Sequence, residues 1–465
     1  MPPFSLCVPC VFVVNLLRSL TGMGARARLA TGYERSEIRH HHPRWSGGSC
    51  FAILLRQGFA GQAATQDLQV ATIMKHSKYL VIIPDGAADL PLEELGGRTP
   101  LEVANTPNLE AIAREGQVGL AHTIPAEAEN PGSDIALLSI LGYDPVKYYT
   151  GRAPLEAASL GVALEEKDVA FRCNLVTSDG ERLLNYSAGD ISTEEARPLI
   201  ELINKRLGTS KRQFFPGISY RHLMTWREGP VEVKTTPPHD IQGERLEPYL
   251  PQGDGEEVLR TLIYDSLEVL QGHEINRRRR EERKPAANMI WLWGQGRAPN
   301  LPSFSARWGM AGVVIGAVDL VRGVAKYAGL AAPKVEGATG GIETNFSGKA
   351  QAAITALEKA DFVLVHIEAP DEAAHQGNIE KKIWAIEQVD EKVVGPLRER
   401  LAGKGRMLIL PDHRTPISIR THSRHPVPFA LWPGESKAAA FSEAEAAATG
   451  VVVEEGHRLI EMLFS

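Results

Sequence analysis

The chain has 465 residues, of which 43% are hydrophobic and 23% charged, and carries a formal net charge of −6. That composition excludes a disordered or fibrous chain, and the length exceeds one ordinary core, so two domains are expected. Mild acidity gives no overall pull toward nucleic acid or an anionic membrane, so any anion site must be local, and only four cysteines argue for a reducing cytoplasm rather than a disulfide framework.

The first 73 residues differ from the rest: they hold seven Arg and no Lys, and Cys7, Cys10 and Cys50. The apolar run LCVPCVFVVNLL is too short to span a bilayer. It also lacks the preceding positive charge and the following cleavage site of a signal peptide. Met74 is therefore expected to be the true start and 1–73 a non-native or disordered extension, with a targeting segment as the alternative. The CxxC at Cys7 and Cys10 has no partner pair to complete a metal site.

After Met74, KYLVIIPDG predicts a strand over 79–84 that breaks off at Asp85. TPNLEAIAREG predicts a helix stopped by Gly116. NPGSDIALLSILGYDP places Gly132 and Ser133 at the start of an apolar helix, and YYTGRAPLEAASLG follows. From about Val169 the pattern changes to alternating strands, an amphipathic helix (STEEARPLIELINKRLG) and further strands and loops, which suggests a separate α+β unit. A helix over 254–271 leads to NRRRREERKPAAN, expected to be a solvated crossover. NMIWLWG, AGVVIGAVD, DFVLVHIEAPDEAAH and RMLILPDH then read as strands that return to the first sheet. The expected fold is a doubly wound, mostly parallel α/β sheet interrupted by a smaller α+β cap. Its parts are 74–150 and 286–465 for the sheet domain and 151–285 for the cap.

Three of the buried apolar runs end at acidic residues: Asp85, then Asp371 with His375, then Asp412 with His413. In open α/β sheets ligands bind beyond the carboxyl ends of the strands, so these side chains are expected to converge. A lone DxxxH is most often an exposed ion pair and PDH a turn, but both follow buried strands here. Carboxylates mixed with imidazoles suit Mn, Zn or Co, and five ligands are too many for one ion, which points to two metals clamping a phosphoryl displacement. Ser133 has two readings: an ordinary helix N-cap, or a nucleophile at a helix terminus that favours anions.

IIPDG, NPGSDIALLSILGYDP, YYTGRAPLEAA, FRCNLVT, YRH, TPPHDI, IWLWG, PDEAAHQG, LPDHRTP and RTHSRHPVPF occur in that order. This set resembles the cofactor-independent phosphoglycerate mutases of the archaeal type, in the alkaline phosphatase superfamily, over nearly all of 76–465. The resemblance implies one metal held by Asp371, His375 and His422, and a second held by Asp85, Ser133, Asp412 and His413, with Ser133 the nucleophile. It picks His422 over His425 because the family pattern places its ligand four residues before the Pro of PVP. Two divalent ions are implied, Mn foremost with Zn, Co or Mg as alternatives, and no 2,3-bisphosphoglycerate. The expected partner is a small phosphorylated substrate, with no nucleic acid, no membrane and the oligomeric state open.

The implied reaction interconverts 3-phosphoglycerate and 2-phosphoglycerate through a phosphoserine. Arg152, Arg172, Arg221, His222 and His239 lie in family-like motifs and are the candidates to hold the substrate's negative charges, although an Arg in a strand is as often a solvated or ion-paired group. The rivals are a related phosphotransferase such as a homoserine kinase, a phosphatase, and a metal-stabilised binding protein without turnover. The P-loop pattern GxxxxGK[ST] is missing, which argues against an ATP-dependent kinase of that type.

Overall fold

The computed structural model describes residues 78–465 apart from 129–130 and 436–437. Met74 and the whole extension, including Cys7, Cys10 and Cys50, lie outside them.

In chain order the strands are β1 (Lys78–Pro84), β2 (Gln117–Ala121), β3 (Val169–Ser178), β4 (Leu183–Asn185), β5 (Arg212–Ile218), β6 (Arg221–Trp226), β7 (Val233–Lys234) and β8 (Gln252–Gly253). They continue as β9 (Met289–Arg297), β10 (Gly312–Ile315), β11 (Phe362–Ile367), β12 (Gly405–Ile409), β13 (Val427–Trp432) and β14 (Val452–Val453). Seven of them form one sheet in the order β10-β11-β1-β12-β13-β2-β14. β1 runs parallel to β11 and β12, and β13 runs antiparallel to both of its neighbours. The central strands are unbroken apolar runs because helices cover both faces: every residue of β11 is buried, and all of β1 after Lys78.

Parallel register is what builds the site. Pro84 pairs with Ile367 and Ile82 with Ile409. Carried past the paired stretch, that register sets Asp85 level with Glu368 and Asp412, so three strands deliver their last residues to one edge of the sheet.

The second sheet is antiparallel. β3 lies between β6 and β9, with β5 beyond β6 and β4 at the far end of β3. One expectation is corrected here: NMIWLWG does not return to the first sheet, because β9 pairs with β3 from Met289 opposite Val176 to Arg297 opposite Val169. An apolar run buried on both faces fits the centre of either sheet, so its composition could not assign it. The return comes later, at β10, which pairs with β11.

The helices Thr193–Leu207 and Glu256–Leu270 pack on this second sheet and share its core with Phe171, Cys173, Met224 and Trp291. The Arg-rich stretch is not wholly solvated either. It forms a helix, Glu274–Glu281, in which Arg279 is buried, paired with Glu195 at 2.5 Å and donating to the carbonyls of Pro285 and Ala188.

Candidate active site and metal centre

Asp85 leaves β1 into a tight turn at Gly86 (φ 60°), whose N–H donates to Asp412 Oδ1 at 3.2 Å. Asp412 and His413 follow β12, and both are completely buried. His413 Nε2 lies 3.5 Å from Asp85 Oδ1, 3.4 Å from Asp412 Oδ2 and 3.0 Å from Ser133 Oγ. Asp371 and His375 lie on the short helix Ala369–His375, four residues apart, which brings their side chains together at 3.2 Å. His422 arrives from the loop before β13, 3.6 Å from Asp371 Oδ1 and stacked on the His413 ring at 3.9 Å.

All seven residues expected as metal ligands therefore gather in one place. Their division into two sets is less sharp than the resemblance implies: His413 groups both with Asp85 and Asp412 and with Asp371 and His422. His425 is exposed and bonded to Ser423 instead.

Ser133 is the first residue of the helix Ser133–Ile140, but it is not the cap. Gly132 holds that position, with no side-chain cap bond. The hydroxyl is thus not spent on the backbone and faces His413 instead.

Hydrogen bonds fix the ring tautomers. His375 Nδ1 lies 2.9 Å from the Arg420 carbonyl and His422 Nδ1 lies 2.9 Å from the Pro131 carbonyl. A carbonyl only accepts, so each Nδ1 carries the hydrogen and each Nε2 presents a lone pair. These two Nε2 atoms are only 3.0 Å apart, beside the Asp371 carboxylate. In neutral rings two facing lone pairs repel unless a proton or a metal cation lies between them. At His413, Thr415 Oγ1 donates to Asp371 Oδ1 at 2.6 Å and so must accept from His413 Nδ1 at 3.1 Å, leaving His413 Nε2 bare as well.

The electrostatics point the same way. Burial, then Asp412 and Asp371, push the Asp85 carboxyl well above its ordinary range. Burial also works against the Asp412 carboxylate, yet His413 and His366 hold it below the usual range. Burial drives His413 down to about 4, keeping it neutral as a ligating imidazole must be. The Asp371 carboxylate raises His375 to about 9, so without a metal this ring carries a second proton, on Nε2, that a bound cation would displace. Asp85 Oδ1 and Asp412 Oδ2 are buried without a hydrogen-bond partner. A donor set of bare imidazole nitrogens and unpartnered carboxylate oxygens fits divalent cations.

The expected substrate residues divide by strand parity. Arg172 on β3 opposes Trp293 on β9, and its guanidinium stacks over that indole at 4.1 Å while Nε bonds Glu156 at 3.0 Å. Arg221 pairs with Asn174, two residues along β3, and so shares this face. Arg152 approaches the same Glu156 at 3.4 Å, and the half-exposed His239 ring lies 5.5 Å from Trp293. His222 is not brought here. It pairs with Cys173 on the opposite face, toward the second sheet's own core, and its Nδ1 accepts the Gly217 N–H at 3.0 Å.

The sequence reading missed several neighbours. Asp134, next to Ser133, accepts from Tyr149 at 2.5 Å, and against burial its charge favours the Arg152 cation. His366, Glu368 and Lys349 are buried beside Asp85 and Asp412. A histidine inside an otherwise apolar, fully buried strand was a signal for the first of these.

A mostly parallel α/β sheet whose strand ends converge on a buried acidic and imidazole-rich centre, with an uncapped serine hydroxyl held against a histidine at a helix start, defines an enzyme of the phosphoryl-transfer class. Comparison with known proteins narrows that class. A family model described as 2,3-bisphosphoglycerate-independent phosphoglycerate mutase matches residues 113–276. The chain is 52% identical over 396 residues to a probable 2,3-bisphosphoglycerate-independent phosphoglycerate mutase of Geobacter sulfurreducens, covering 83% of this chain and 99% of that one. It is also 52% identical over 359 residues to the mutase of that name from Methanosarcina acetivorans, covering 76% and 90%. Among solved structures, a Pyrococcus horikoshii protein aligns with a TM-score of 0.69 at 31% identity, covering 83% and 96%. The cofactor-independent phosphoglycerate mutase of Thermoplasma acidophilum shares the fold, with a TM-score of 0.59 at 24% identity over 83% and 98%. The chain belongs to the 2,3-bisphosphoglycerate-independent phosphoglycerate mutase family.

Proposed function

We propose that the chain interconverts 3-phosphoglycerate and 2-phosphoglycerate, a step of glycolysis and gluconeogenesis, by passing the phosphoryl group through Ser133. The observation that carries this is the uncapped Ser133 hydroxyl, 3.0 Å from a neutral, tautomer-fixed His413 at the edge where three strand ends meet. Asp371, His375 and His422 would hold one divalent ion, and Asp85, Ser133, Asp412 and His413 a second, with Mn the favoured metal. Bound there, such ions supply charge that lowers the pKa of the serine hydroxyl and offsets the negative charge of the phosphate.

The residues of the chain do the rest. Ser133 Oγ forms a bond to phosphorus as the bond from phosphorus to the glycerate oxygen breaks, in line and at the start of a helix whose free N–H groups favour the anion. Ser133 gives up one proton and the departing glycerate oxygen takes up one. The second transfer, from Ser133 to the other glycerate hydroxyl, reverses both, so no net proton is consumed. Arg172, with its plane fixed by Trp293 and Glu156, would hold the substrate carboxylate while the hydroxyls exchange, with Arg152, Arg221 and His239 around it. The second sheet then serves as the cap of the site, and its closure keeps water from the phosphoserine, which would otherwise be hydrolysed.

The test is acid quench of the full-length, manganese-loaded enzyme with labelled 3-phosphoglycerate, beside an enolase-coupled assay with and without Mn. Label on the Ser133 peptide and Mn-dependent turnover are expected. Normal turnover with label on histidine or nowhere would overturn the phosphoserine route.

A further inference from the structure

One fully buried ring takes no part in the chemistry above. His366 on β11 is 0% exposed, and both of its ring nitrogens face carboxylates. Nε2 lies 3.5 Å from Asp85 Oδ2 and 3.9 Å from Asp412 Oδ2, and Nδ1 lies 3.3 Å from Glu368 Oε1. Glu368 is itself fixed: Lys349 Nζ is 2.5 Å away, and the N–H groups of Ala317 and Val318 reach its other oxygen at 3.3 and 3.4 Å. Lys349 is also 0% exposed and donates to the His366 carbonyl at 3.0 Å, so carboxylate and ammonium form one fixed unit behind the ring, whose two nitrogens face carboxylates at 3.3–3.9 Å without a closer hydrogen-bond partner.

Packing alone does not account for this block. Burying an imidazole, a carboxylate and an ammonium is costly unless each satisfies the others, and a leucine at 366 would fill a strand interior at lower cost. What the polar block adds is direction. Asp412 Oδ1 is taken up by the N–H groups of Gly86 and His413, at 3.2 and 3.0 Å, which leaves Oδ2 facing His413 and His366. Asp85 likewise turns one oxygen to His413 and the other to His366.

We infer that His366 is a positioning residue for the second cation site, holding the Asp85 and Asp412 carboxylates in their ligating orientation through Nε2, with Glu368 and Lys349 locking its ring from behind. The inference rests on the two-metal reading above. It differs from that reading in what it requires: His366 touches no cation, and its loss acts on one site only. Outer partners of metal ligands of this kind are worth about 10–100-fold in affinity.

The test is calorimetric titration of the metal-stripped, full-length chain with Mn2+, alongside kcat and KM. Wild type is expected to bind two ions. His366→Leu should weaken one of them about 10–100-fold, leave the other unchanged, and lower kcat more than it raises KM. His366→Gln puts an amide near the position of Nε2 and should restore most of the affinity, whereas His366→Asn puts it near Nδ1 and should not. If the leucine variant does not fold, the Gln and Asn pair decides alone. Two unweakened ions in His366→Leu, or rescue by Asn equal to rescue by Gln, would overturn the inference while leaving the two-metal reading intact. Fewer than two ions in wild type would overturn both.

Discussion

Gly86 is the point where backbone geometry and the proposed centre meet, and Gly86→Ala tests both. Its φ of +60° already carries a cost of about 1–2 kcal/mol for a residue with a side chain. A Cβ there would lie 2.5 Å from Asp371 Oδ1, 2.6 Å from Thr415 Oγ1 and 2.8 Å from Asp371 Cβ. Restoring ordinary van der Waals contact requires a retreat of about 1 Å. Asp371 is not free to make it, because Thr415 holds Oδ1 at 2.6 Å and His375 lies 3.2 Å from Oδ2. If the turn moves instead, it carries the Gly86 N–H away from Asp412. Either way a carboxylate shifts, and a 1 Å displacement costs roughly 100-fold in rate. We expect Gly86→Ala to lose about 2 kcal/mol of stability and about 100-fold in kcat/KM, with weakened Mn2+ binding. Gly97→Ala is the control: its φ is +78° and nothing lies within 4 Å of its Cβ, so it should show the backbone cost alone. Thermal melts, Mn2+ titration and the enolase-coupled assay separate the two. Wild-type activity and Mn2+ affinity in Gly86→Ala would refute the reasoning.

Ser133→Ala should abolish mutase turnover yet cost only about 1 kcal/mol of stability, the worth of the His413 hydrogen bond, since no cap bond is lost; a large drop in melting temperature would contradict the observed cap. Metal-free protein should lose stability as pH rises. His375 is raised in the folded state to about 9 from 6.5, so its contribution is complete below 6.5 and gone above about 9, and melts across that window should fall. For the same reason, Mn2+ binding near pH 7.5 should release about one proton at the Asp371 centre, readable by titration in buffers of different ionisation enthalpy. Arg172→Met keeps the packing on Trp293 but removes the fork, and should raise KM for 3-phosphoglycerate about tenfold or more with a smaller change in kcat; an unchanged KM would remove Arg172 from the substrate site.

The candidate metal cluster was legible because parallel strands buried on both faces announce themselves as unbroken apolar runs, and the residue that ends each run must emerge at the ligand edge. Asp85, Asp371 and Asp412 could be picked out on that ground, and the register of β1 against β11 and β12 carries Asp85 and Asp412 to the same level. Saturated hydrophobicity has the opposite effect on topology. β9 is as apolar as β1, so nothing in MIWLW says which sheet it joins, and only its partner β3 decides. Arg279 shows the same limit for charge, since a run of arginines reads as solvated until a partly buried glutamate and two carbonyls are found around one of them.

Among the candidate substrate residues, His222 alone is turned to the other face. Arg221 and His222 are neighbours on one strand, so their side chains point to opposite faces and both could not have faced one ligand. Parity limited the answer to one of the two, and the pairing of Asn174 with Arg221 supplied the choice, because it puts Arg221 on the face of Arg172 and sends His222 to the core. Tautomers lie deeper still. That Nε2 rather than Nδ1 of His375, His413 and His422 faces the centre follows from the Arg420 carbonyl, the Thr415 hydroxyl and the Pro131 carbonyl, three groups that no spacing rule connects to the histidines they fix. The candidate acidic ligands are therefore a property of strand ends, whereas the orientation of the histidines around them is a property of the loops 411–426 and 131–133 folding back over them.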